Sequence, residues 1–169
     1  SYQCGCIDGY DLVGGVCTST ACSLSDWMAM AANGCKALAG ANLAGAILDF
    51  IDLTNVDFTG AILNLANLSG SDLTNANLTS ANVNQANLTD SVLAGANLTD
   101  AELNGADLTN ANLTDANLAS ASLLDVNIDN ANFSNAILTG VVSSGLTGSP
   151  ATLPDGWELD NGVLKESAP

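Results

Sequence analysis

Histidine and arginine are absent from the 169-residue chain, and Lys36 and Lys165 are its only basic residues. Against them stand 18 acids, a formal net charge of −16. Such a chain cannot displace counterions from a phosphate backbone, which argues against nucleic acid as a partner. Without His there is no side chain that titrates, unperturbed, near neutrality. Aromatic residues make up only 4% of the chain, so the 47% hydrophobic content is mostly Ala and Leu. No run reaches the roughly 18 apolar residues of a membrane span, and no leader peptide is visible.

Cysteine is missing from everything after residue 35, yet five occur before it: Cys4, Cys6, Cys17, Cys22 and Cys35. Crowding of this kind reads as a disulfide-stapled segment made where thiols are oxidised. The bland alternative is a reduced chain with small buried thiols. Zinc is poorly served by a C-x-C with irregular spacing and no His, and no metal or cofactor is expected. Residues 1–17, with Cys4-Gly5-Cys6, Gly9-Tyr10 and Cys17, resemble the second half of an EGF-like module. That resemblance implies a Cys6–Cys17 disulfide, and the missing first half leaves calcium binding without support. Cys22 and Cys35 are the next candidate pair, provided the intervening segment lets them approach. Cys4 is then free or bonded outside the chain, because the count is odd.

From Ser23 the composition shifts to Ala, Met and Trp, with Ser23 or Ser25 placed to cap a helix and Gly34 to end it. Such a helix, carrying Trp27, Met28 and Met30, could seal one end of a larger core.

From Lys36 to Gly140 the chain repeats every five residues, 21 times without a break. Position three is Leu in 17 units and Phe58, Val83, Ile128 or Phe133 in the others; position one is Ala in 15. Position two is mostly Asn or Asp, position four often Thr or Ser, and position five is Gly, Asn, Asp or Ser in 18 units. Apolar residues at one and three alternate as in an extended strand. An odd repeat would turn the next Ala outward if the chain ran straight, so each unit must contain a corner, which position five suits. Corners of one hand make a solenoid lined with Ala and Leu.

Units such as Ala76-Asn77-Leu78-Thr79-Ser80 carry the A(D/N)LXX signature, and the region is similar to the pentapeptide-repeat family. The resemblance implies an all-β fold, a right-handed quadrilateral parallel β-helix with four units to a coil and about five coils, roughly 25 Å long at ~4.8 Å per rung. Residues 141–169 leave the pattern. Leu153–Leu159 and the stretch around Asn161-Gly162 predict a hairpin, and the Leu153-Pro154-Asp155-Gly156-Trp157 run is similar to tails that close bacterial members of the family. Trp157 is expected to cover the last coil's Leu stack. The expected organisation is thus 1–22 Cys-rich, 23–35 capping helix, 36–140 β-helix and 141–169 C-terminal cap.

With twenty residues to a coil, outward residues fall into four columns. The first face carries Asp52, Asp72, Val92, Asn112 and Asn132; the second Asp57, Asn77, Asn97, Asn117 and Ile137. The third carries Asn42, Ile62, Asn82, Glu102 and Ser122; the fourth Ile47, Asn67, Asn87, Asp107 and Asn127. Six sequons lie at Asn67, Asn77, Asn87, Asn97, Asn112 and Asn132 and skip the third face. Each could bear an N-glycan in a secreted protein; otherwise Asn-Leu-Thr is the repeat consensus and bears nothing, the reading favoured because neighbouring columns would crowd sugars. Asp52 and Asp72 invite a calcium reading, but no loop of fixed ligand spacing exists.

Ile47, Ile62 and Leu65 stand where polar residues are the rule and form a candidate partner patch, at the third face and its edge with the fourth. The N-terminal segment folding back over them is the alternative. These features point to a non-enzymatic extracellular scaffold or interaction module, working through protein partners or self-assembly. Family resemblance keeps two alternatives open: a DNA-mimicking acidic rod like the gyrase inhibitors, and a lumenal subunit of a photosynthetic membrane complex. The expected compartment is extracellular or an oxidising lumen such as a periplasm or thylakoid.

Overall fold

The computed structural model describes residues 36–167. The EGF-like segment, the Cys6–Cys17 and Cys22–Cys35 pairs and the 23–35 helix all lie outside the described residues. Within them there is no helix, and so none long and apolar enough to cross a membrane.

The chain winds into a four-sided parallel β-helix. Position-two residues pair in parallel with those twenty further on, as in Ala37 with Asp57, Asn77 with Asn97 and Asn97 with Asn117. The two hands of each rung are visible in one coil: Asp57 N–H donates to the Lys36 carbonyl (2.7 Å), and Phe58 N–H donates to the Asn77 carbonyl (2.7 Å). Each corner is closed locally, as where Ala61 N–H donates to the Phe58 carbonyl at 2.8 Å. The third residue of that turn is position five, and it takes a positive φ at every unit, from Gly40 (67°) to Gly140 (72°). A turn of this type demands that conformation, which explains the Gly, Asn and Asp found there.

Every position-three side chain from Leu38 to Leu138 is buried, and so are the Ala residues at position one. Where position one is Ser71 or Ser91, the buried hydroxyl donates to the carbonyl three residues earlier, Leu68 at 2.7 Å and Leu88 at 2.6 Å. The interior polar groups are thereby satisfied.

The stack continues past the last pentad. Strand β1 (Ser122–Leu124) pairs in parallel with β2 (Val142–Ser144), and Asn127 and Asn132 pair with Thr147 and Thr152. Each face thus has six rungs rather than the five coils expected: the second runs from Ala37 to Ile137, and on the other three, residues 141–152 add the sixth rung after losing the consensus. The rod is about 24 Å long at the usual rung spacing.

Strands β3 (Trp157–Asp160) and β4 (Val163–Glu166) form the antiparallel hairpin, turning at Asn161 (φ 49°) and Gly162 (φ 77°). Leu146 N–H donates to the Gly162 carbonyl (3.0 Å) and Leu164 N–H to Ser143 Oγ (2.9 Å), fastening the hairpin over the final coil. Leu164 is the buried plug; Trp157 is only partly buried beside it. The strand pleat turns Trp157, Leu159 and Leu164 toward the core, with Leu164 the most deeply buried of the three.

Candidate interaction surface

Four of the five backbone N–H groups in a typical unit are used by the rungs and the corner. The fifth, at position four, is met by the position-two side chain: Thr54 N–H donates to Asp52 Oδ1 (2.9 Å), Thr79 to Asn77 (3.2 Å) and Thr109 to Asp107 (3.0 Å). Thr at position four adds its hydroxyl to the same oxygen, as Thr59 does to Asp57 at 2.6 Å. Asn Nδ2 then reaches the preceding coil, Asn77 to Thr59 Oγ1 (2.7 Å) and Asn97 to Thr79 Oγ1 (2.9 Å). These outward columns are the backbone's own acceptors. The Asx-turn preference of Asn and Asp was the available signal.

Asp52 is held below the ordinary carboxylate range, chiefly by the Thr54 hydroxyl, then by the Thr54 N–H, with a smaller contribution from Lys36. Lys36 lies 3.6 Å from it. Asp52 and Asp72 do stack as a bridged pair, but among the described residues they gather no third metal-ligating neighbour. The remaining base, Lys165, is raised by Asp160 (2.8 Å) and then by Glu158 (3.2 Å) within the hairpin.

All six sequon asparagines sit at position two on the first, second and fourth faces. Several spend their side-chain nitrogen inside the ladder: Asn77, Asn97 and Asn132 donate to Thr59, Thr79 and Thr114, and Asn87 donates to Asn67 Oδ1 at 3.1 Å. Asn112 accepts from Thr114 N–H at 3.1 Å.

The apolar residues are placed differently. Ile47 (63% exposed), Ile62 (40%) and Leu65 (60%) all project to solvent. Phe50, which sequence reasoning did not include, is 79% exposed and belongs with them. Leu65 stands at the corner between the third and fourth faces, Phe50 at the corner between the fourth and the first, and Ile47 lies on the fourth face between those corners. Phe50 and Leu65 are also the bulky apolar side chains among the left-handed position-five residues, with φ of 55° and 62°. That conformation costs a non-glycine residue about 1 kcal/mol or more, which Gly or Asn would largely avoid. The Phe50 ring lies against Gly70, where a Cβ would come within 2.5 Å of its Cε1. The signal for Phe50 was there: it breaks the position-five rule.

A chain that turns four corners in twenty residues and stacks six rungs on each face defines a quadrilateral parallel β-solenoid. Its sequence matches the pentapeptide repeats model in eight copies over residues 38–75, 71–110 and 101–140, and the chain belongs to that right-handed β-helical family. It is similar to HetL, a pentapeptide repeat protein involved in heterocyst differentiation regulation in the cyanobacterium Nostoc sp. strain PCC 7120. The identity is 30%, covering 69% of this chain and 57% of HetL, with a TM-score of 0.50. It is similar too to Rfr23 from the cyanobacterium Cyanothece 51142, at 27% identity over 79% of this chain and 100% of that one, TM-score 0.60. A pentapeptide repeat protein of the Arabidopsis thaliana thylakoid lumen is 31% identical over 59% of this chain and 66% of its own, TM-score 0.45. The match thus spans less than two thirds of HetL. No curated protein sequence matches.

Proposed function

We propose that the protein is a non-enzymatic scaffold that binds a protein partner through the apolar band at its N-terminal coils. One observation carries this reading: four large apolar side chains, Ile47, Phe50, Ile62 and Leu65, are exposed together in the first two coils. Elsewhere on the coils the outward positions are mostly polar and many are committed to the hydrogen-bond ladder. A compact apolar patch on so polar a surface is a contact site.

The double variant Ile62→Asp, Leu65→Asp tests it. Loss of association at an unchanged melting temperature supports an intermolecular contact. A lowered melting temperature means that residues 1–35 occupy the band within the chain, and unchanged behaviour in both assays removes the band from the function.

We read residues 23–35 as the cover of the first coil. Support comes from the Ala-, Met- and Trp-rich composition of that stretch, bounded by Ser23 or Ser25 and Gly34. The cysteine cluster supports an oxidising compartment, secreted or lumenal, and the engaged amide nitrogens of Asn77, Asn87, Asn97 and Asn132 favour leaving those sequons unmodified. Intact mass before and after reduction checks both: hexose mass would overturn the second, and five free thiols the first.

A further inference from the structure

We infer that the fourth face docks a cationic segment of another protein, anchored by apolar side chains on the Ile47–Phe50–Leu65 band and running along the rod toward its C-terminal coils. This rests on the scaffold reading above and adds the chemistry of the occupant.

The band is centred on the fourth face, since Phe50 and Leu65 occupy its two edges and Ile47 the strip between them. Ile47 stacks directly beneath Asn67, so the face runs on from the apolar base without a break, through Asn87, Asp107 and Asn127 to Thr147. Along that run and its edges stand Asp49, Asp90, Asp107, Asp125 and Asp129. They are five of the eleven acids between residues 36 and 140, more than any other face with its edges carries.

Hydrogen bonds hold several of them in place without neutralising them: Asp107 accepts from Thr109 N–H, Asp90 from Asn110 Nδ2 (2.9 Å) and Asp129 from Ser149 N–H (3.2 Å). Neither base is near enough to help. Lys36 pairs with Asp52 on the first face, and Lys165 with Glu158 and Asp160 in the hairpin. Fixed carboxylates beside an apolar anchor are complementary to an amphipathic cation, and complementarity of this kind sets orientation and rejects partners of the wrong sign.

The other occupants lack that match. A second copy brings a net charge of −16 against the same acids. The chain's own residues 1–35 contain Asp8, Asp11 and Asp26 and no Lys or Arg. Five rung spacings give the face a length of about 24 Å, which takes roughly seven residues of extended chain or sixteen of helix.

The test uses the full chain and three labelled sixteen-residue peptides read by fluorescence anisotropy. The first has Leu at one end and Lys spaced along the rest; the second has Glu for each Lys; the third has Ser for each Leu. The Leu/Lys peptide is expected to bind roughly tenfold tighter than either control, more weakly as salt rises. Ile47→Asp with Leu65→Asp should remove that advantage. Asp107→Asn with Asp125→Asn, which keeps the oxygen acceptors, should weaken binding severalfold and flatten its salt dependence; Asp57→Asn with Asp100→Asn should do neither.

Equal binding of the Leu/Glu peptide through the same band overturns the cationic occupant while leaving the scaffold reading intact. Binding of both Lys peptides alike, indifferent to Ile47 and Leu65, shows only general attraction to an acidic protein and overturns the inference. If no peptide binds and the Ile47, Leu65 variant melts lower, residues 1–35 fill the band and both readings fall.

Discussion

A single side chain at position two decides whether a corner's last N–H finds a partner. Asn97 accepts from both the N–H (3.2 Å) and the hydroxyl (2.7 Å) of Thr99, and donates to Thr79 one coil below. Asn97→Ala should therefore cost about 1–2 kcal/mol, the range for losing a side-chain cap and one further bond. Ile137 occupies the equivalent place on the last rung of the same face, 49% exposed and with no acceptor to offer Thr139. Ile137→Asn should stabilise by roughly 0.5–1 kcal/mol through the same bond. Thermal unfolding of the two variants checks both signs.

Asp52 supplies a titration counterpart. Its carboxyl is held low in the folded chain, mainly by Thr54. A folded pKa below the unfolded one gives stability that is present above the unfolded value and is lost as pH falls through the folded one. Thr54→Val should move the Asp52 titration upward and shrink that acid dependence, visible in the NMR shift of its carboxyl carbon.

At the scale of the element, a coil has no stability of its own; it is held by its neighbours above and below. A change in the middle and a change at the end should therefore differ. Leu98 is wholly buried between coils, and Leu98→Lys would strand a charge there, so the stack should fail to fold as a unit. Leu164 covers only the last coil, through a hairpin fastened by the bonds at Leu146 and Ser143. Leu164→Asp should release hydrogen-exchange protection over residues 141–152 while the inner coils stay protected. Uniform loss of protection in that variant would show that the hairpin supports the whole rod rather than its end.

For the whole molecule, charge is the dominant long-range force. The rod orders many like charges along about 24 Å, while its two lysines are tied up at opposite ends. Repulsion between exposed carboxylates farther apart than the Debye length, about 8 Å near 0.15 M salt, is largely screened. The melting temperature should consequently rise from low to physiological ionic strength. A flat or falling profile would mean that the ladder hydrogen bonds, not net charge, govern the response. The same repulsion keeps copies of the rod apart side by side and leaves a partner of opposite sign as the favoured neighbour.

Five-residue spacing alone sets which side chains face in and where the chain bends. Leu at position three, Ala at position one and a left-handed residue at position five are consequences of five-residue geometry, local enough to be read from any single unit. The Asn161-Gly162 hairpin was legible for the same reason. How many units close a coil is a different matter, because the period requires a corner in each unit without setting how far each corner turns. Only the folded rod brings Asn77 against Thr59 and Asn97 against Thr79, and only there does the exposed Phe50 join Ile47 and Leu65 at the fourth face. The tertiary structure likewise carried the stack on to Thr152 and set Leu164 beside Trp157 in closing the core. In each case the deciding contact joins residues about twenty apart, so it depends on closure of the coil, which no single unit encodes.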